Sequence, residues 1–202
     1  MVTTKKLFLQ QGLKYMELNE YLSHYLQRAG YVDVQIFRTP IGTHLMIYAE
    51  RPALVIGRRG RIIRELSQTL QSKFGVENPQ VDVIEIQKPE LNAKIMAYRV
   101  ARAIVRGVKF RRAAFIALRR IMSAGAKGAE IIISGKLTSE RSRTEKFTMG
   151  TVYKSGTPKS ELVDEAVVHV LLKPGIYGIK VRIMPPIEPP DKIHIKAVEK
   201  VE

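Results

Sequence analysis

The chain has 202 residues, 45% of them hydrophobic and 26% charged, which is enough apolar material for two small folded domains and excludes a disordered tail. Its 34 Lys and Arg against 19 Asp and Glu leave a formal charge of +15, unevenly spread: residues 1–88 carry 12 basic and 8 acidic side chains, residues 89–202 carry 22 and 11. A polyanionic partner is expected from that imbalance, while the absence of cysteine excludes disulfides, thiolate metal sites and cysteine nucleophiles. The four histidines (His24, His44, His169, His194) are scattered without metal-ligand spacing. No catalytic residue, metal site or cofactor is expected. The N-terminus lacks the apolar stretch of a signal peptide and no apolar run approaches membrane length, so a cytoplasmic protein with no membrane partner is expected.

In chain order, Leu13, Met16, Leu18, Tyr21, Leu22, Tyr25 and Leu26 recur at helical spacing, and Gly30 is placed to end a helix over 13–29. Strands are predicted at 31–38 and 44–50, joined through Thr39-Pro40-Ile41-Gly42, which has turn chemistry. A short helical turn at 52–55 leads to Gly57-Arg58-Arg59-Gly60-Arg61. Ile62, Ile63, Leu66 and Leu70 then mark a helix to about Phe74, followed by a strand at 81–86. Two glycines let the backbone approach a ligand closely, the helix start offers unpaired N–H groups to phosphate, and the arginines supply charge and forked donors. The two other G-x-x-G runs, Gly125 to Gly128 and Gly175 to Gly178, precede strand-like segments and read as plain turns.

Lys88-Pro89-Glu90 is a predicted boundary, because the residue before a proline is pushed out of the helical region. Residues 91–129 then contain ten basic side chains and no acidic one. Arg99, Arg102, Arg106 and Lys109 fall on one predicted helical stripe, with Ile95, Tyr98, Val105 and Val108 facing a core. A second helix is predicted from Phe110 to about Ala124, with Arg112, Phe115 and Arg119 on one face and Arg111 and Arg120 beside them. Solvated faces normally interleave both signs of charge, so the lack of acid favours contact with phosphate. Strands are expected at 130–137, 147–153, 165–172 and 179–184. Loops at 139–144 and 154–159 add Arg141, Arg143, Lys154 and Lys159 as basic donors. The proline-rich run from Pro185 reads as an extended tail.

The α-β-β-α-α-β order around V-I-G-x-x-G resembles a type II KH domain over residues 13–87, a module that clamps about four nucleotides of single strand. The expected fold class is therefore α+β: a KH domain over 1–88, a second α+β domain of two helices and a mostly antiparallel sheet over 89–185, and a tail over 186–202. Phe110-Arg111-Arg112-Ala113, Gly125-Ala126-Lys127-Gly128, Ser134-Gly135-Lys136-Leu137 and Arg143-Thr144-Glu145 together resemble the universal small-subunit ribosomal protein S-three family. Ser155-Gly156 with Pro158, Val163-Asp164-Glu165-Ala166-Val167 and Gly178-Ile179-Lys180-Val181-Arg182-Ile183 resemble its archaeal and eukaryotic branch. The resemblance implies a component of the small-subunit head in the cytoplasm that binds ribosomal RNA, adjoins other proteins of the head, and lines the channel through which messenger RNA enters. The family's basic pair in that channel falls on Arg111 and Arg112 and its clamp on Gly57 to Gly60. A third basic residue of bacterial members is Phe115 here, so the strand-separating role of that site is either lost or carried by Arg119 and Arg120. Two other readings compete. A free KH factor on messenger or nascent RNA would favour a second clamp, and an enzyme on nucleic acid would need metal or nucleophile motifs that the chain does not offer.

Overall fold

Leu18 and Leu22, one helical turn apart, form the inner edge of the first helix, with Leu26 just beyond its end, and all three are buried. Each such leucine contributes about 1.5–3 kcal/mol relative to staying in water. A computed structural model describes residues 4–40 and 42–187, which divide between Pro89 and Glu90 into two units, each with its own apolar core.

In the first unit α1 (Thr4–Tyr25) and a short 3-10 turn lead to β1 (Tyr31–Thr39) and β2 (Gly42–Ala49). α2 (Pro52–Ile56), α3 (Arg61–Phe74) and β3 (Gln80–Glu85) follow, completing the α-β-β-α-α-β order. β1 pairs antiparallel with β2 and β2 parallel with β3, so β2 is central. Its inward residues Leu45, Ile47 and Ala49 alternate along the strand and pack with Val34, Val55, Leu66 and Leu70. Tyr31 is buried whole, and its hydroxyl donates to Asn19 Oδ1 at 2.6 Å, so no polar group is stranded. α1 begins at Thr4 rather than at the predicted Leu13. Its first half leaves Phe8, Leu9, Leu13 and Met16 exposed, so burial gave that stretch no inward face for periodicity to reveal.

In the second unit Asn92 caps α4 (Ala93–Val105), its side-chain oxygen accepting from the N–H groups of Lys94 and Ile95 at 3.1 and 3.2 Å. α5 (Phe110–Ser123), β4 (Gly128–Gly135), β5 (Arg143–Gly150), α6 (Thr157–Leu162), β6 (Asp164–Leu172) and β7 (Gly175–Met184) follow. The sheet order is β5-β4-β7-β6 with every pair antiparallel. α4 lies over β6 and β7, and α5 over β4 and β5. Ala129, Ile131 and Ile133 from β4 and Ile179, Val181 and Ile183 from β7 fill the layer between helices and sheet.

Several expectations are corrected here. The predicted stripe Arg99, Arg102, Arg106, Lys109 does not lie on one helix: α4 stops at Val105 and the chain turns at Gly107 with φ +89°, leaving Lys109 before the start of α5. Val105 is the last residue of its helix and 57% exposed, not a core residue. The loop expected at 154–159 runs into a third helix, α6, with Pro158 in its first turn, where the missing N–H costs nothing. β5 starts at Arg143, so that residue is in a strand rather than in the loop. Gly175 to Gly178 belongs to β7 and is not a turn; Gly178 faces Ser134 so closely that an added Cβ would lie 2.8 Å from its hydroxyl. Of the predicted tail, residues 188–202 lie outside the described residues.

Candidate RNA-binding site

The first unit's candidate surface is built by backbone geometry. α2 ends at Gly57, whose φ +73° and ψ 176° are accessible only to glycine, and whose missing Cβ leaves room for Ile62: a Cβ there would lie 2.6 Å from Ile62 Cγ1. Arg59 adopts φ +56°, ψ 27°, an uncommon left-handed conformation for a residue with a side chain. Gly60 follows at φ +71° and precedes α3 without a side-chain cap, and the Arg61 N–H turns back to the Arg58 carbonyl, which holds the loop tight against the helix start. Arg58, Arg59 and Arg61 are all exposed, and Leu54 and Ile56 of α2 are exposed apolar neighbours in sequence. Close backbone, cations and apolar side chains together suit the sugar-phosphate chain and bases of a single strand.

In the second unit α5 divides cleanly. Ala113, Ala114, Ala117, Leu118 and Ile121 are buried, while Arg111, Arg112, Phe115, Ile116, Arg119 and Arg120 are exposed. Four arginines and two apolar side chains therefore share the outward face, without an acid among them. Arg111 is held from below by Glu145 of β5, which accepts from Nε at 3.0 Å and from an Nη at 2.9 Å in a bidentate pair. That pairing, and after it the neighbouring Arg143 charge, holds the Glu145 carboxyl below the usual range, and the same pairing raises Arg111 further. The Arg111 guanidinium carbon sits 5.7 Å from the Phe110 ring centre. Phe147 of β5 meets both Phe110 and Phe115, with ring centres 6.5 and 5.5 Å apart.

The other predicted donors are dispersed. Arg99 bonds Glu90 at 2.8 Å and is largely covered; its hydrogen bond is the main cause of the lowered Glu90 carboxyl. Arg102 is half-buried, whereas Arg106, at the end of α4, and Lys109, ahead of α5, are exposed. Arg141, Arg143 and Lys159 are exposed, on the β4–β5 loop, the start of β5 and α6 respectively. Lys154 lies 3.7 Å from Glu130.

Glu130 is the feature that residue types did not reveal. It is 0% exposed, with Lys146 Nζ at 2.5 Å and an Arg182 Nη at 3.0 Å; Arg182 also donates to Glu165 at 2.7 Å, which is paired with Lys180 as well. Burial pushes the Glu130 carboxyl up, but Lys146 and Arg182 outweigh it, and the net shift is downward. Positive charge on the sheet face away from the helices is thus answered by carboxylates, while on α5 Arg111 is paired with Glu145 and Arg112, Arg119 and Arg120 stand exposed. Glu145 escaped notice for a related reason, since its partner Arg111 is 34 residues away.

A KH-domain family model matches residues 17–91, and a model described as Ribosomal protein S3, C-terminal domain, matches residues 100–183. The small ribosomal subunit protein uS3 of Thermofilum pendens is 63% identical over 201 residues, an alignment covering 100% of both chains. The protein of the same name from Sulfurisphaera tokodaii is 51% identical over 196 residues, 97% of this chain and 87% of its own length. That of Pyrobaculum calidifontis is 53% identical over 183 residues, 89% and 85% of the two chains.

Proposed function

The chain belongs to the ribosomal protein S3 family, and from that membership we propose that its α5 face guides messenger RNA while its Gly57–Gly60 loop clamps a further stretch of single strand. As a member it is a structural, non-enzymatic component of the small ribosomal subunit in the cytoplasm, with ribosomal RNA and neighbouring ribosomal proteins as partners. Among the described residues no helix is long and apolar enough to cross a membrane. The finer placement in the subunit head, beside the channel through which messenger RNA enters, is part of the proposal.

The exposed row Arg111, Arg112, Arg119 and Arg120 carries it. Guanidinium groups along one helix face grip phosphates without reading bases, which is what a surface passed by every messenger requires. Phe115 and Ile116, exposed between them, offer apolar surface on which an unpaired base can rest. Arg106, Lys109, Arg141, Arg143 and Lys159 extend the positive field, and Arg58, Arg59 and Arg61 supply phosphate contacts at the KH loop. Arg99 is assigned instead to holding Glu90, and Lys154 to the Glu130 cluster.

Subunits carrying Arg111→Ala with Arg112→Ala test the proposal. They are expected to assemble normally and to hold messenger RNA more weakly, measured by filter binding of a labelled unstructured messenger. Failure of the variant to enter subunits would assign the two arginines to ribosomal RNA instead.

A further inference from the structure

We propose that the cleft at the start of α5 receives an unstacked nucleobase from the single-stranded RNA running along that helix. The proposal rests on the messenger reading above and deepens it. The cleft measures about 510 Å³, within the range of clefts that hold small ligands. Its walls are apolar: Ile104 from α4, Val108 from the turn, Leu137 beyond β4, and Leu172 and Tyr177 from the β6–β7 hairpin. Tyr177 donates its hydroxyl to the Lys136 carbonyl, so its polar end is satisfied and its ring serves as wall.

The lining on the helix side differs. Lys109, Phe110 and Arg111 stand there together, and among the described residues no carboxylate lines this cleft. Glu145 uses two of the five N–H donors of Arg111, fixing the guanidinium near the Phe110 ring and leaving three donors for a phosphate. A second cleft of about 550 Å³ adjoins the first, sharing Leu137, Thr138 and Tyr177 and adding Lys136 together with Glu140, so its charges offset one another. Net positive charge therefore stands along the helix side of an apolar slot, from Lys109 and Arg111. That pattern fits a polymer that is anionic along its length and carries flat apolar groups, and single-stranded RNA is such a polymer. An acidic peptide would match the cations but not the aromatic and aliphatic walls as flat surfaces.

The chain contains no cysteine, so Thr138→Cys places a single thiol at the exposed mouth of the cleft. N-cyclohexylmaleimide on that thiol plugs the slot with an aliphatic group that cannot stack. The full chain is used in a Gly60→Asp background, so that the KH loop does not mask the effect. The readout is the affinity for an oligoadenylate relative to an abasic oligomer of equal length. Before labelling the oligoadenylate is expected to bind more tightly than the abasic oligomer; labelling should weaken oligoadenylate binding by at least about five-fold and leave the abasic affinity unchanged, Phe115 and Ile116 supplying any preference that remains. An oligoadenylate affinity that labelling leaves unchanged, or no preference before it, overturns the base site. Protection of the thiol by small-subunit proteins without RNA would overturn it in favour of a protein side chain. If Arg111→Ala with Arg112→Ala leaves both affinities unchanged, the reading of α5 as an RNA surface fails instead, and the two failures are distinguishable.

Discussion

Gly60→Asp is the most revealing change at the KH loop, because Gly57 and Gly60 are not equivalent. At Gly57 a side chain would meet Ile62 at 2.6 Å in a backbone region reserved for glycine, so Gly57→Asp costs about 1–3 kcal/mol of strain before any ligand is considered. Gly60 sits in the left-handed helical region, and its added Cβ would meet nothing nearer than Ile63 Cγ2 at 3.8 Å. Aspartate and asparagine are the side chains that tolerate that region best, at about 1 kcal/mol. For a unit of this size that lowers Tm by about 4–8 °C. The new carboxylate then stands where a phosphate is expected. At ~5 Å the repulsion is about 0.8 kcal/mol in water and about 3 kcal/mol in partly excluded surroundings, a 4- to 150-fold loss of affinity. Gly60→Asn is the control: same shape, same backbone cost, no charge. Fluorescence anisotropy with a single-stranded oligoribonucleotide, alongside thermal melts, separates the terms. Gly60→Asp should bind well below Gly60→Asn while melting alongside it. Equal binding by the two would refute phosphate contact at this loop.

Arg111→Ala with Arg112→Ala should flatten the dependence of log affinity on log salt by about 1.4, the share of two phosphate contacts on a single strand. Melting should barely change, since the Arg111–Glu145 pair is exposed and such pairs contribute little. Glu130→Gln should destabilise the second unit by about 3 kcal/mol in urea titrations, the low end for breaking a buried pair, because Lys146 can swing into water while Arg182 keeps Glu165. The wild-type pH profile follows from the same carboxylates. Glu90, Glu130, Glu145 and Glu165 all have folded values below the ordinary one, so they bind protons more readily unfolded. Their stabilisation is fully present above about pH 4.5 and is lost as pH falls through the lowered values; Glu130→Gln should show a shallower loss. A wild-type midpoint that held constant from pH 6 to pH 3 would contradict this.

The parts legible in the chain were those with short-range causes. Gly57 and Gly60 announce a backbone shape, and Ile62, Leu66 and Leu70 announce a helix, so the KH unit could be read from 57 to 74. α5 was legible for the same reason: its alanines and leucine repeat at helical spacing opposite its arginines. The stripe from Arg99 to Lys109 failed because periodicity does not register where a helix stops, although Gly107 was the signal to heed. The extension of α1 to Thr4 was illegible, since residues with no inward face show no pattern. Glu130 and Glu145 were missed because their partners come from other strands and helices. Alternation along β4 offered a hint, placing Glu130 between two buried residues.

The central claim is that the α5 face lies against messenger RNA in the assembled subunit. A photoreactive benzoylphenylalanine in place of Ile116, between Arg112 and Arg119, tests it in subunits loaded with a labelled messenger. A crosslink to the messenger that disappears when the messenger is omitted, with the same probe at Lys159 crosslinking far less, is the predicted result. Crosslinks from Ile116 confined to ribosomal RNA or to a neighbouring protein would contradict it.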